Sequence, residues 1–156
     1  MTVDLVLYQP DIAQNTGTLL RLGACLGVVV HIIHPTGFPF SRRELKRGGL
    51  DYLEHAQIVE HDSYEHFDRW RHQTGRRLVL LTTKSSENAY AFSYQPGDML
   101  MLGRESAGVP DAVAIAADAR IRIPMRSGLR SINVAVAGAM VVGEALRQTH
   151  GYDALA

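Results

Sequence analysis

Three stretches of the sequence, LVLLTTKSS (78–86), MLMLGRESAGVP (99–110) and RIRIPMRSGLRSIN (120–133), decide the fold. Each begins with a run of strand length and continues into a loop that contains Gly, Ser or Thr. In open α/β sheets, ligands bind at the carboxyl ends of the strands. Loops with little side-chain bulk bring backbone N–H and C=O groups to a ligand, which suits recognition of a purine edge. The three stretches therefore predict strands of one sheet whose ends share a ligand site.

The rest of the chain alternates predicted strands with predicted helices. The predicted strands are Val3–Tyr8, Val28–Ile33, Gln57–Glu60, Leu78–Thr82, Met99–Leu102 and Arg120–Ile123. The predicted helices run from Asn15 to Leu26, from Ser41, from Ser63 through Arg71 and from Ser131 to Thr149. This alternation is typical of α/β proteins, in which helices cover both faces of a parallel sheet. A chain of 156 residues suits a single domain, residues 1–156, with its own core.

Local signals mark the ends of the two central helices. Ser41 and Glu44 have capping-box spacing, and the helix that they open is expected to stop at Gly48–Gly49. Ser63 opens the next helix, which is expected to end before Gly75. Both helices are predicted to lie on the surface.

The composition favours a metal-free cytosolic protein. Cys25 is the single cysteine, so it has no partner for an internal disulfide, and it is expected to pack in an apolar stretch. Metal-ligand spacing is absent from His55, His61, His66 and His72, which are therefore expected on the solvated surface. No signal-peptide pattern is present, and the longest apolar stretch is shorter than a membrane span.

Charge is segregated along the chain although the formal net charge is zero. Residues 51–68 contain six acidic residues and no Lys or Arg, whereas residues 119–130 contain four Arg and no acidic residue. A second basic cluster consists of Arg42, Arg43, Lys46 and Arg47. The net charge alone gives no support for nucleic-acid binding, and the ordinary interpretation of each basic cluster is a solvated face.

The two common nucleotide-binding loops are absent from the sequence. No GxGxxG follows the first strand, and no GxxxxGK[ST] occurs anywhere in the chain. A parallel sheet without these loops must bind its ligand in another way.

Ordered motifs resemble those of the SPOUT superfamily of RNA 2'-O-methyltransferases. PDIAQNTGTLLRLGACLG (10–27) is similar to the first motif, LGRESAGVP (102–110) to the second and IPMRSGLRSINVAVAGAMVV (123–142) to the third. With GLDY (49–52) and LTTK (81–84), the whole chain is similar, in order, to the small TrmL-type enzymes that methylate the wobble nucleotide of tRNA.

This resemblance implies a SPOUT-type α/β fold with a parallel sheet, in which about residues 78–150 form a C-terminal deep trefoil knot. The implied cofactor is S-adenosylmethionine. The implied substrate is the anticodon stem-loop of a tRNA, methylated on the ribose 2'-oxygen of C34 or U34. The resemblance also implies a cytoplasmic homodimer without a membrane anchor. No metal is needed, because a methyl group on a sulfonium is already activated.

The same resemblance assigns a donor-binding role to Leu81, Gly103, Ile123 and Ser131. The first three are expected to bind mainly through the main chain. Ser131 has a second interpretation, as the N-cap of the last helix.

Arg21 and Asn133 match family positions beside the transfer site. A guanidinium has a pKa above about 12, so Arg21 is expected to stabilise a phosphate or an alkoxide rather than act as a base. Without the motif, Arg21 would be an ordinary surface arginine of a helix.

Asn15 and Glu105 are predicted supporting residues. Asn15 has the alternative role of capping the helix that carries Arg21. Glu105 is expected either to hold loop amides or to contact the arginine of a partner subunit, and a structural role fits it as well as a catalytic one.

Small residues are frequent in the last predicted helix: Ala135, Ala137, Gly138, Ala139, Gly143 and Ala145. They fit either close packing in the core or a helix that packs across a dimer interface. Three positions depart from the family pattern. Arg104 stands where Pro is usual, Ala135 where Ser is usual, and Cys25–Leu26 where a polar pair often precedes the glycine.

Two other functions are compatible with the sequence. One is the same chemistry on ribosomal RNA or on another tRNA ribose. The other is a donor-free RNA-binding homodimer that uses the same Arg clusters.

Overall fold

Six parallel strands form one sheet in the computed structural model, which describes residues 2–47 and 51–156. In chain order the strands are β1 (Asp4–Tyr8), β2 (Val30–Ile33), β3 (Ile58–His61), β4 (Leu78–Leu81), β5 (Met99–Leu102) and β6 (Ala119–Ile121). Their order across the sheet is β3-β2-β1-β5-β4-β6, and every pairing is parallel. The predicted parallel α/β architecture is therefore confirmed.

All of the predicted strands are present, and their ends shift by at most two residues. β1, β2 and β5 are buried along their whole length, as continuous apolar strands are when helices cover both faces. The prediction that β6 reaches Ile123 is wrong, because β6 ends at Ile121. Beyond it, the Arg122 N–H donates to the Glu87 carbonyl at 2.7 Å, and the Arg122 carbonyl accepts from the Ala89 N–H at 2.8 Å. This exchange ties the end of β6 to the segment that follows β4.

Five α-helices and a 3₁₀ turn lie within the described residues. The helices are α1 (Ala13–Leu26), α2 (Arg42–Arg47), α3 (Tyr64–Thr74), α4 (Asp111–Ala116) and α5 (Val134–Gln148), and the 3₁₀ turn is Asp51–Glu54. None of these helices is long and apolar enough to cross a membrane.

The predicted limits of the central helices agree with the structure where it describes them. α3 begins after Ser63, whose Oγ accepts the His66 N–H at 3.0 Å, and it ends at Gly75 in the left-handed conformation. α2 begins directly after Ser41. Its predicted end at Gly48–Gly49 lies outside the described residues. α4 was not predicted, and its only sequence signal is Asp111 in the first turn of a helix of six residues.

The two helix caps that the sequence analysis gave as alternatives, Asn15 and Ser131, do not form. α1 begins at Ala13 and has Ile12 as its N-cap, without a side-chain hydrogen bond, so Asn15 lies inside the helix. α5 begins at Val134, and its N-cap is Asn133 rather than Ser131. The Asn133 Oδ1 accepts the N–H groups of Ala135 and Val136, at 2.8 Å and 3.2 Å, and so satisfies the free donors of the first turn.

Separate cores lie on the two faces of the sheet. In β5, Leu102 packs in the core beneath α1 and α5, whereas the preceding Met101 packs in the core beneath α3 and α4. Gly138 allows α5 to approach closely. A Cβ at this position would lie 2.7 Å from Leu102 Cδ1 and 3.0 Å from Leu19 Cδ2. The small residues on this side of α5 therefore serve core packing.

Two further expectations, about the burial of Cys25 and of His61, are wrong. Cys25 is exposed rather than packed. His61 is buried at 2 % exposure because the end of β3 faces α3. Its Nε2 hydrogen-bonds to His31 Nδ1 at 2.9 Å, and His31 Nε2 pairs with Asp4 at 2.8 Å. Burial, reinforced by the charge of neighbouring histidines, lowers the pKa of His61 from 6.5 to about 4. His61 is therefore neutral in the folded protein near neutral pH.

The stability of the protein is expected to fall as the pH drops from 6.5 towards about 4. In this window the unfolded chain takes up a proton at His61 that the folded chain does not. The loss reaches about 3 kcal/mol at most, since one pKa unit corresponds to about 1.4 kcal/mol. Urea denaturation at several pH values measures this slope. His61→Gln should flatten it and the exposed-site control His55→Gln should not. An unchanged slope in His61→Gln would show that another group governs the dependence.

Candidate active site

A cleft of about 960 Å³ opens at the carboxyl ends of β4 and β5. Its walls are the loop after β4 (residues 82–87), the loop after β5 (residues 103–109) and the segment before α5 (residues 131–133). The loop after β5 is named the donor loop for the role that the sequence predicts for it. A cleft of this size accommodates a small-molecule ligand. The position agrees with the ligand site predicted at the strand ends.

Most of the predicted site residues meet in this cleft. Those that line it are Asn15, Leu81, Gly103, Glu105, Ser131 and Asn133. They come from segments far apart in sequence, and the parallel sheet brings them to one edge. Because Ser131 does not cap α5, it stays outside the helix and is exposed on the cleft wall.

The donor loop is closed on itself by backbone pairing. The Arg104 N–H donates to the Gly108 carbonyl at 3.0 Å, and the Gly108 N–H donates to the Arg104 carbonyl at 2.9 Å. A Cβ on Gly103 would lie 2.8 Å from Gly108 Cα, so only glycine fits where the loop leaves β5. Gly108 adopts a positive φ of 61°, which also favours glycine. The loop thus presents main-chain groups with little side-chain cover.

Arg104, at one of the three positions that depart from the pattern of the resembled family, folds back on its own loop. Its Nε donates to the Gly108 carbonyl at 2.9 Å, and its Cζ lies 5.6 Å from the centre of the Tyr8 ring. The guanidinium of Arg104 therefore reinforces the closure of the donor loop, and it lies near the ring of Tyr8 at the end of β1.

Glu105 binds amides of the segment before α1 rather than amides of its own loop. Its Oε2 accepts the N–H groups of Asp11 and Ile12, at 3.0 Å and 3.1 Å. In return, Asp11 Oδ1 accepts the Glu105 N–H at 3.1 Å, and Asp11 Oδ2 accepts the Ser106 hydroxyl. Burial, together with the adjacent Asp11, raises the pKa of Glu105. Hydrogen bonds with Glu105 and Ser106 lower the pKa of Asp11.

Asn133 joins the starts of two helices. While its Oδ1 caps α5, its Nδ2 donates to Asn15 Oδ1 of α1 at 3.1 Å. These bonds fix the orientation of both amides beside the cleft. Asn15 therefore acts here as a partner of Asn133 and not as a helix cap.

The loop after β4 is tied to β6. Ser85 Oγ donates to the Arg120 carbonyl at 2.8 Å and accepts the Glu87 N–H at 3.1 Å. The Thr82 N–H donates to the Ile121 carbonyl at 2.9 Å. This wall of the cleft is therefore held by main-chain and hydroxyl contacts that start directly after Leu81.

Two predicted site residues do not line the cleft formed by the described residues. Ile123 is buried in the core at 5 % exposure, and the main-chain contact predicted for it stays a prediction. Arg21 lies on the exposed side of α1. Its Nη2 donates to the Tyr52 hydroxyl at 2.9 Å, and its Cζ lies 4.2 Å from the centre of the Tyr52 ring. The arginine is thus held by the 3₁₀ turn and not beside the donor loop.

The basic clusters divide into structural and free side chains. Arg120 Nη1 donates to the carbonyls of Ala114 and Ala117, at 2.8 Å and 3.0 Å, and so stabilises the end of α4. Arg126 and Arg130 are exposed in the segment that leads to the cleft wall. The side chains of Lys46 and Arg47 in the second cluster lie outside what the structure describes, whereas Arg42 Nη2 donates to the Ile58 carbonyl at 3.0 Å.

Asp11, which contacts the donor loop but is not among the residues that line the cleft, was missed by the sequence analysis. An acidic residue just before a helix has an ordinary explanation in the helix dipole, so nothing local points to a loop about ninety residues away.

Comparison with known proteins shows similarity along nearly the whole chain. Residues 2–143 match the model of the SpoU rRNA Methylase family. The chain is 55 % identical over 152 residues to a tRNA (cytidine(34)-2'-O)-methyltransferase of Ancylobacter novellus, covering 97 % of this chain and 96 % of that protein. It is 43 % identical over 148 residues to the enzyme with the same name from Escherichia coli K12, with 94 % and 93 % covered.

Solved structures show the same similarity. One, which gives structural insights into the 2-OH methylation of C/U34 on tRNA, has a TM-score of 0.86 at 39 % identity and covers 94 % of this chain and 95 % of that one. An AdoMet-bound rRNA methyltransferase from Sinorhizobium meliloti has a TM-score of 0.83 at 27 % identity, with 94 % of this chain and 56 % of that one covered.

Gly103→Ala is expected to weaken binding of S-adenosylhomocysteine by about tenfold or more. The added Cβ collides with the Gly108 backbone, and relieving about 1–3 kcal/mol of strain requires the donor loop to move. Isothermal titration calorimetry measures the affinity. Gly27→Asn is the control, because Gly27 ends α1 outside the cleft lining, a Cβ there meets nothing within 4 Å, and Asn tolerates a positive φ. Equal affinities for Gly103→Ala and the unaltered protein would place the donor elsewhere.

Proposed function

The chain belongs to the SpoU rRNA methylase family, and on that premise we propose that it transfers the methyl group of S-adenosylmethionine to the ribose 2'-oxygen of nucleotide 34, C or U, of a tRNA. The expected SPOUT membership is thereby confirmed. One observation carries the proposal. Two relatives that are named for this activity are 55 % and 58 % identical to the chain, and each alignment covers nearly all of both proteins.

The main-chain groups on the cleft walls suit the methyl donor. Gly103 lets the donor loop close tightly against Gly108, and the loop offers main-chain groups of the kind that recognise a purine edge. Leu81, Gly103 and Ser131 are the residues that would hold the donor. When bound, it supplies a methyl group already activated by its sulfonium, so the protein has to align the acceptor and help it lose a proton.

The acceptor side depends on Asn133 and Arg21. The Asn133 amide is fixed at the cleft wall by its bonds to α5 and to Asn15, so it offers a rigid polar group beside the reacting atoms. Arg21 is always protonated, so its role is to stabilise the negative charge of a phosphate or of the forming alkoxide. The proton itself leaves the ribose hydroxyl for another acceptor.

The function requires two copies of the chain. Arg21 lies outside the cleft of its own subunit, where it packs on Tyr52. The outer side of α5 exposes Val136 at 53 % and Met140 at 37 %, two apolar side chains one helical turn apart that a second copy packed on this side would cover. We therefore propose a homodimer in which this side of α5 packs against the second copy and Arg21 serves the partner's cleft.

The same family membership supports two further proposals. We propose that about residues 78–150 contain the trefoil knot typical of the family, with α5 returning over Leu102 to pack on α1. We also propose that the enzyme works in the cytoplasm, where its tRNA substrate is found.

Methylation of unmodified tRNA with labelled donor is expected to place one methyl group on the 2'-oxygen of nucleotide 34. Mass spectrometry of nuclease fragments maps the product. Ser131→Ala and Asn133→Ala should each lower the rate at least about tenfold, the usual effect of losing a polar group that positions substrate. A methyl group found on a base, on another ribose or only on ribosomal RNA would contradict the proposal.

Mixing two impaired variants tests the shared site, with the methyl donor kept at a concentration too low for Gly103→Ala to bind it appreciably. In a heterodimer of Arg21→Ala with Gly103→Ala, one site combines an intact donor loop with an intact arginine from the other chain. Random reassociation should therefore restore about a quarter of the activity, because half of the dimers are mixed and each mixed dimer has one complete site. If Arg21 acts within its own chain, both sites of the heterodimer are defective and the mixture stays inactive.

A further inference from the structure

Asp11 pairs with the donor loop through a reciprocal set of hydrogen bonds. The carboxylate of Glu105 binds two amides of the segment before α1, and the carboxylate of Asp11 binds the amide of Glu105 and the hydroxyl of Ser106. Each carboxylate therefore satisfies backbone donors on the opposite segment. The arrangement joins two parts of the chain separated by 94 residues.

The register of the sheet places the two segments side by side. Leu7 of β1 lies opposite Leu102 of β5. Asp11 comes four residues after Leu7, and Glu105 comes three residues after Leu102, so both leave the sheet at the same level. Asp11 is backed on its other side by Gly37, where a Cβ would lie 2.5 Å from Asp11 Cβ and whose N–H donates to the Pro10 carbonyl at 2.9 Å. This support makes Asp11 a fixed anchor.

The donor loop needs an anchor of this kind. Its own bonds between Arg104 and Gly108 close the base of the loop. The intervening Glu105 and Ser106 make their described hydrogen bonds to the segment of Asp11 and Ile12. Main-chain groups cannot rotate as side chains can, so they lose their contacts with a ligand when the backbone is displaced. The affinity of such a site for its ligand therefore depends on the position of the loop.

The charge distribution agrees with this role. Hydrogen bonds lower the pKa of Asp11, so this carboxylate keeps its charge and its ability to accept two donors at neutral pH. A charged acceptor makes stronger hydrogen bonds to an amide and a hydroxyl than a neutral one.

We propose that Asp11 is a positioning residue for the methyl-transfer reaction, because it holds the donor loop in the conformation that binds S-adenosylmethionine. This inference rests on the proposed function only in the identity of the ligand. Asp11 itself does not have to touch the donor or the ribose.

The test compares Asp11→Ala and Asp11→Asn with the unaltered protein. Asp11→Ala is expected to raise the Kd for S-adenosylhomocysteine and the KM for S-adenosylmethionine about tenfold, the effect expected for losing hydrogen bonds to a charged group. The kcat at saturating donor and the KM for tRNA should change less than about twofold, because the acceptor side is intact. Asp11→Asn keeps an oxygen that accepts the Glu105 N–H, so it should recover part of the affinity. Asp62→Ala, an exposed acidic residue two strands away, is the control and should behave as the unaltered protein.

A double-mutant cycle with Ser106→Ala separates loop positioning from a general loss of stability. Ser106→Ala should weaken donor binding in the unaltered protein and have a smaller effect when Asp11 is already Ala, because the two residues share a hydrogen bond. Should Asp11→Ala fail to fold, the same cycle is run with Asp11→Asn. Additive effects, an unchanged Kd in folded Asp11→Ala, or parallel losses of kcat and of both KM values would overturn the inference.

Calorimetry with S-adenosylhomocysteine contains no RNA, so its outcome is independent of the substrate. If tRNA is not methylated but donor binding still depends on Asp11, the proposed function fails and the inference holds. If tRNA is methylated and donor binding ignores Asp11, the inference alone fails.

Discussion

Parallel pairing of β5 between β1 and β4 is the constraint on which the active site depends. Leu102 lies opposite Leu7 of β1 and Leu81 of β4, so the three strands end at the same level. Parallel strands leave a sheet at one edge, and the segments after them therefore begin within reach of one another. The cleft, the pairing of Asp11 with Glu105 and the fixed loop after β4 all follow from this register. A shift of one residue in β5 would separate these groups and also exchange the residues that face the two cores.

The second requirement is the return of α5 to the same edge. Gly138 lets this helix approach Leu102 closely, and that approach carries its N-terminus to the cleft. Asn133 then meets two needs at once, because a side-chain amide both accepts and donates. Its oxygen caps α5, and its nitrogen bonds to Asn15. An aspartate or serine would cap the helix equally well but would lack the matching amide donor, which gives a physical reason for asparagine here.

The proposed reaction divides its tasks between two regions of the chain. The C-terminal half forms a cleft suited to an activated donor, where exact placement of main-chain groups matters more than acid–base chemistry. The contribution proposed for the N-terminal half is Arg21, which Tyr52 holds outside that cleft. The homodimer proposed above would bring together a cleft and an arginine that lie apart within one chain.

The sequence by itself determined the strands, the order of strands and helices and the parallel sheet, because long apolar runs and Gly/Ser loops are local signals. Through its motifs it also identified the family and six of the residues that line the cleft. The tertiary structure decided what depends on contacts between distant segments. Ser131 and Asn133 are both good N-caps in isolation, and only the path of the chain over the cleft selects Asn133. His61 is buried because α3 covers the end of β3, Cys25 is exposed because it lies on the outer side of α1, and Asp11 gains its role from a loop brought to it by β5. These outcomes depend on contacts between segments that are far apart in the sequence and meet through the sheet. A local sequence pattern does not show which distant segments will meet.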